Sequence, residues 1–321
     1  MTRYGYTLMC EQSGPVELVR DAARAERAGF EFEVISDHYS PWLDSQGHAP
    51  NAWATLGAIA NATERVDLMT YVTCPIMRYH PAVVAQQAAT VDLLSGGRFL
   101  LGLGAGENLN EHVIGKGWPP ANVRHEMFAE ALEIIRSLFG GDYVDFAGDH
   151  FRVDSAKLWD IGDQPPKMGV AISGHQSAGL AGKFADAMIA VEPKSELGDM
   201  FDQAGGQGKR RIGQVPICWD PSRDDAIKRA HDQFRWFGGG WKVNAELPGT
   251  AGFAGATQFV RPEDVADSIP CGPDVAAHVD AVKEFVDAGF TDVAVVQIGG
   301  DTQPEFLDWA ERELVPALRD I

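Results

Sequence analysis

Three short stretches carry the residue types that move protons and hold anions. Ser36-Asp37-His38, followed by Trp42, sets a carboxylate, an imidazole and a large aromatic close together in the chain. An imidazole takes a proton from a hydroxyl, or returns one, near neutral pH. Gly102-Leu103-Gly104-Ala105-Gly106-Glu107 ends on a second titratable group, with Asn110 just beyond. Two such groups facing one pocket would divide acid and base work between them. Ser173-Gly174 precedes a helical pattern whose first amides, lacking intrahelical partners, suit a phosphate. Each stretch also has a plainer reading. Asp37 would cap a loop while His38 is satisfied by backbone, Glu107 would be a solvated loop carboxylate, and Ser173 would be a helix N-cap. Lys194 would neutralise an anion or simply stand in solvent, and Cys74 would be a small buried side chain. The glycine run does not have dinucleotide-fingerprint spacing, and no helix is expected directly after it. Its glycines are expected to let a flat ring approach the backbone.

Short apolar runs alternate with amphipathic segments and would position these residues. Strand patterns fall at Tyr4 to Met9, Glu31 to Ser36, Val66 to Val72, Phe99 to Leu103, Met168 to Ile172, Asp186 to Ala190, Gln214 to Cys218 and Asp292 to Gln297. Each is rich in Val, Ile, Leu or Met, as buried parallel strands are. Helical patterns separate them, several with Pro near the start and Gly past the end. About eight β-α units predict an α/β fold, a (β/α)₈ TIM barrel, over an open doubly wound sheet. The whole chain, 1–321, reads as one domain. Insertions are expected near 142–153, as a hairpin, and near 238–262, as a glycine-rich mobile lid. In a barrel the chemistry belongs at the C-terminal strand ends, where all three stretches fall.

Composition narrows the classes. The 321 residues include Asp+Glu 46 against Lys+Arg 27, a formal charge of −19, which argues against nucleic-acid or anionic-membrane partners. Hydrophobic residues at 45% and charged residues at 23% suit a large core and exclude a disordered chain. Cys10, Cys74, Cys218 and Cys271 lie far apart with no C-x-x-C pair, and His48, His112, His125 and His231 lack ligand-spaced partners, so no metal is assigned. No export signal or membrane-spanning run is read, and a cytoplasmic location is expected.

Ser36-Asp37-His38-Tyr39-Ser40-Pro41-Trp42, Gly47-His48-Ala49-Pro50, Arg78-Tyr79-His80-Pro81-Ala82 and Gly104-Ala105-Gly106-Glu107-Asn108-Leu109-Asn110-Glu111 resemble the luciferase-like (β/α)₈ flavin and deazaflavin oxidoreductases. Within them the sequence is most similar to the coenzyme F420-dependent glucose-6-phosphate dehydrogenases and their related group. The resemblance implies that His38 handles the substrate proton, that Glu107 is the complementary acid/base group, and that Trp42 lines the reaction site. It places coenzyme contacts on Asp37, Cys74, Ala105, Gly106, Asn110, Ser173, Gly174, Gln176 and Ser177, and on Tyr71 and Val72, where it implies a non-prolyl cis peptide. Arg78, Lys116 and Lys183 are candidates for a cationic strip facing the anionic coenzyme. A homodimer is also implied. Where the dehydrogenases clamp a sugar phosphate, this sequence has Val191, Lys194 and Lys242, and no arginine near Ala266-Asp267-Ser268. The expected substrate is therefore a neutral alcohol, sugar or carbonyl compound. Two other functions stay open: an FMN-dependent luciferase-like monooxygenase, and a catalytically silent ligand-binding barrel.

Overall fold

The computed structural model describes residues 2–321. The strands are β1 (Arg3–Leu8), β2 (Phe32–Ile35), β3 (Asp67–Thr70), β4 (Phe99–Leu103), β5 (Val144–Ala147), β6 (Arg152–Ala156), β7 (Lys167–Ala171), β8 (Ala187–Ala190), β9 (Arg210–Ile217) and β10 (Asp292–Gln297). Eight of them form a closed parallel barrel in the order β1-β10-β9-β8-β7-β4-β3-β2. This is the (β/α)₈ barrel that the strand count predicted, with helices between successive strands. The remaining two, β5 and β6, pair antiparallel as a hairpin outside the ring.

Alternation along the strands divides the core. Phe32, Val34, Met69, Leu100, Ala187, Ile189, Ile212 and Ala294 fill the barrel interior, roofed toward the C-terminal mouth by half-exposed Tyr71, Val72 and Ala171. Residues of opposite parity, such as Leu8, Ile35, Leu68 and Leu101, pack outward against the helices. Helix ends follow local chemistry: Pro15–Ala28 starts with Pro in its first turn and stops at Gly29 with φ 98°, and Pro81–Leu94 starts at a Pro capped by His80 Nδ1.

Three local expectations change. β9 begins at Arg210, earlier than the apolar pattern, because Arg210 and Arg211 point to ion pairs with Asp292 and Asp202 at the barrel's lower rim. A short helix, Asn108–Glu111, does start directly after the glycine run. The segment expected to be a loose lid is folded into short helices at Phe237–Gly239, Trp241–Asn244 and Thr250–Ala256. Phe253 anchors it, fully buried in a second apolar cluster with Trp42, Leu109 and Trp236. Among the described residues no helix is long and apolar enough to cross a membrane.

Candidate active site

β2 runs straight into Ser36-Asp37-His38, and β4 into Gly104-Ala105-Gly106-Glu107, so both loops open at the C-terminal mouth. The two side chains meet there, with His38 Nε2 3.2 Å from Glu107 Oε1. A third group completes the contact. Glu11, three residues beyond β1, forms an ion pair through Oε1 with His38 Nδ1. The imidazole thus lies between two carboxylates, all nearly buried, with His38 and Glu107 keeping only a narrow opening to solvent.

Burial opposes a charge on His38, yet Glu11 and then Glu107 outweigh it and raise its pKa to about 10. Burial likewise pushes Glu107 up, but the His38 charge and hydrogen bonds from His38 and Asn110 bring it below its ordinary value. At neutral pH the central group is therefore an imidazolium between carboxylates. Each carboxylate is itself held. Ser36 Oγ donates to Glu11 Oε2 at 2.6 Å, and Asn110 Nδ2 donates to Glu107 Oε1 at 2.5 Å.

Asn110 Oδ1 accepts from the backbone N–H groups of Tyr39 and Ser40 at 2.7 and 3.0 Å, tying the β2 loop to the β4 loop. Asp37 faces away from the pair. Its Oδ2 accepts from Thr73 Oγ1 at 2.7 Å, and its Oδ1 accepts from Arg78 Nη2 at 3.1 Å. Arg78 also lies 3.5 Å from Glu111. Arg78 is thus occupied by buried acids and is not a free cation at the mouth. Burial raises the Glu111 carboxyl to about 7, against the pull of Arg78.

Trp42 flanks His38 edge-on at 5.1 Å, stacks on Trp236 at 4.2 Å and meets Phe253 at 5.1 Å. Its backbone N–H donates to Gln46 Oε1 at 2.8 Å. The excursion after β9 thus supplies the wall behind the histidine. It also reaches the other side of the pair, where Asn108 N donates to Ala245 O at 3.0 Å and Arg124 pairs with Glu246 at 2.8 Å.

The glycine run packs closely against its neighbouring strand and loop. A Cβ on Gly102 would sit 1.9 Å from Thr70 O, on Gly104 2.6 Å from Val72 Cγ2, and on Gly106 2.4 Å from Cys74 Sγ. The space above these glycines is thus filled by the end of β3 and by the segment after it, which contains the cis peptide at Tyr71–Val72. Tyr71, Val72, Ala105 and Ala171 leave a half-exposed apolar floor beside the His38–Glu107 pair, while Cys74 is buried.

Across the floor, helix His175–Phe184 points its N-terminus at the mouth. Ser177 Oγ, not Ser173, makes the cap by accepting from Ser173 N and Gly174 N at 3.0 and 3.3 Å. Ser173 and Gln176 side chains are exposed. Val191 is exposed, Lys194 pairs with Glu192 at 2.9 Å in solvent, and Lys242 is exposed on the excursion. Among the described residues no group of three or more His, Cys, Asp or Glu stands where a metal would be held.

Residues 2–292 match the family model described as luciferase-like monooxygenase. The chain belongs to this luciferase-like family. Over 98% of its length and 88% of the relative's, it is 35% identical to an F420-dependent hydroxymycolic acid dehydrogenase of Mycobacterium tuberculosis. It is 32% identical to an F420-dependent glucose-6-phosphate dehydrogenase of Beutenbergia cavernae, covering 99% of this chain and 98% of the other. Among solved structures, an F420-dependent secondary alcohol dehydrogenase in complex with an F420-acetone adduct superposes with TM-score 0.89, at 27% identity and 99% coverage of both chains.

In this luciferase-like barrel the sequence reading missed Glu11, Trp236 and Phe253. Glu11 was within reach of the same rule that found the others, since it follows the first apolar strand at its C-terminal end. Trp236 and Phe253 carried no comparable signal, because only the folded excursion brings them to Trp42.

Proposed function

We propose that this chain is an F420-dependent oxidoreductase that moves hydride between the deazaflavin and the carbinol or carbonyl carbon of a neutral substrate, with His38 and Glu107 handling the proton. The carrying observation is the imidazole held between Glu11 and Glu107 at the mouth of a luciferase-like barrel. The residues fit the coenzyme. The half-exposed floor of Tyr71, Val72, Ala105 and Ala171 offers a flat apolar surface beside the pair. The amides of His175, Gln176 and Ser177 have no intrahelical partner and suit an anionic tail. When bound, the deazaflavin supplies the hydride acceptor or donor.

This chain's residues then do the proton work. When Nε2 of His38 is unprotonated it accepts the substrate hydroxyl proton, and Glu107, 3.2 Å away, stabilises the imidazolium that forms. In the opposite direction His38 Nε2–H donates to a carbonyl oxygen. Glu11 fixes the ring through Nδ1, so that only Nε2 faces the reaction. Trp42, backed by Trp236, excludes water from that side. Asn110 and Ser36 keep the two carboxylates aimed.

Lys194 is spent on Glu192, Val191 offers no charge, and Lys242 stands alone on the excursion, which supports an uncharged alcohol, sugar or carbonyl substrate over a sugar phosphate. The further coenzyme contacts proposed are Asp37 and Asn110, acting through the loops they tie together, and Gly106 and Cys74, shaping the edge of the floor.

Fluorescence-quenching titrations with F420 and FMN, followed by turnover of His38→Ala and Glu107→Gln, test the reading. Each variant is expected to lose about 100-fold or more in turnover while keeping coenzyme affinity. Tight FMN binding without F420 binding refutes the cofactor, and near-normal turnover of a variant refutes that residue's role. The proposed homodimer is checked by light scattering.

A further inference from the structure

Cys218 and Cys271 take no part in the site described above, yet they are paired. Cys218 follows β9 directly and forms an isolated parallel bridge with Cys271. Cys218 N donates to Pro270 O at 2.9 Å, and Gly272 N donates to Cys218 O at 3.0 Å. Bridged strands lie about 4.8 Å apart, within the roughly 4.4–6.8 Å between Cα atoms that a disulfide spans. Both side chains are free thiols: Cys218 Sγ donates to Ala226 O at 3.2 Å, and Cys271 Sγ donates to Ile269 O at 3.3 Å. Cys218 is fully buried, whereas Cys271 is partly exposed.

The stretch between these cysteines, residues 219–270, is the excursion that carries Trp236 and Phe253 to Trp42 and Ala245 to Asn108. The pair therefore sits at the base of the one segment that flanks both sides of the acid/base pair. We propose that Cys218 and Cys271 form a reversible disulfide that clasps the base of this excursion, made by exchange with a small-molecule disulfide.

The chemistry follows from the surroundings. The neighbouring Cys218 thiol, with Arg223 and Arg229, lowers the Cys271 thiol below its ordinary pKa despite burial. Cys271 is thus the more readily ionised of the two, and the accessible one. It attacks one sulfur of the small disulfide, breaking that S–S bond and releasing a thiolate. The Cys218 sulfur then attacks Cys271, its proton passing to the departing small-molecule thiolate. The internal S–S bond forms, the mixed disulfide breaks, and the second small molecule leaves as a thiol. Two cysteine thiols are oxidised and one disulfide is reduced to two thiols. Closing so long a segment at its base restricts its open states.

The test treats the full chain with oxidised and reduced glutathione, followed by intact mass, peptide mapping and limited proteolysis. The expected result is loss of two hydrogens with no retained glutathione, a Cys218–Cys271 linked peptide, and reversal by thiol reductant. Cleavage within 219–270 is expected to slow by about fivefold or more. Cys271→Ser, at a part-exposed position that tolerates the change, is expected to give neither cross-link nor slowed cleavage. A stable glutathione adduct without a cross-link, pairing through Cys10 or Cys74, or a cross-link with unchanged cleavage overturns the proposal.

Discussion

Replacing Glu11 by Gln removes one of the two charges that hold a proton on His38 while keeping the shape of the side chain. The His38 pKa stands at about 10 against an ordinary 6.5, with burial working against the charge and Glu11 the leading favourable partner ahead of Glu107. That gap corresponds to roughly 5 kcal/mol favouring the charged form. The lowered pKa of Glu107 is the same interaction seen from its partner and is counted once. If Glu11 supplies at least half, Glu11→Gln lowers the His38 pKa by about 2 units or more, to about 8 or below. The sign for stability follows from linkage. A folded pKa above the unfolded one gives stabilisation that is full below about pH 6.5 and is lost as pH rises through about 10. Wild-type stability should therefore fall across pH 7 to 10, and Glu11→Gln should flatten that fall. The assay is a ¹⁵N-histidine NMR titration, tractable with nine histidines, with the His38 signal identified by its absence in His38→Asn, alongside urea unfolding at stepped pH. A wild-type His38 titrating near 6.5, or a Glu11→Gln value still near 10, refutes the sandwich as the source of the charge.

Gly106 has φ 76°, and a Cβ there would lie 2.4 Å from the buried Cys74 sulfur. Gly106→Ala should cost at least ~2 kcal/mol in denaturant unfolding, and a loss below about 0.5 kcal/mol would show that the β3 and β4 loops readily separate. Phe253 is fully buried against Trp42. Phe253→Ala should destabilise by about 3–5 kcal/mol, and hydrogen exchange should place the added opening in residues 237–256 rather than in the strands. Lys194 is exposed and paired only with Glu192, so Lys194→Ala should change KM by no more than about twofold. A much larger effect, or saturable sugar-phosphate turnover that depends on Lys194, would contradict the neutral-substrate reading.

The barrel was legible because its strands are nearly continuous apolar runs and its helices are punctuated by Pro and Gly. His38 and Glu107 were legible because each ends such a run. Two kinds of information were not. The role of Gly102, Gly104 and Gly106 depends on how closely the neighbouring β3 segment lies over them, a distance between strands that a single run of residues does not encode. The charge on His38 depends on a glutamate from a different loop, so the histidine read as a neutral base proves to be an imidazolium at rest. Arg78 shows the same effect in reverse: a lone cation in the sequence is neutralised by Asp37 and Glu111 once the loops close.

Asn110 gives this arrangement an unusual economy. One amide aims Glu107 and also anchors the peptide immediately after His38, so the hydrogen bonds that hold the two carboxylates come from the loops of β1, β2 and β4. The excursion after β9 meets this brace at Trp42 and at Asn108, whereas Val191 and Lys194, after β8, stand exposed and apart from it. On the proposed function, in which the loop after β8 meets the substrate, that arc can be rebuilt, by descent or by design, without disturbing the hydrogen bonds that Ser36 and Asn110 make to the two carboxylates.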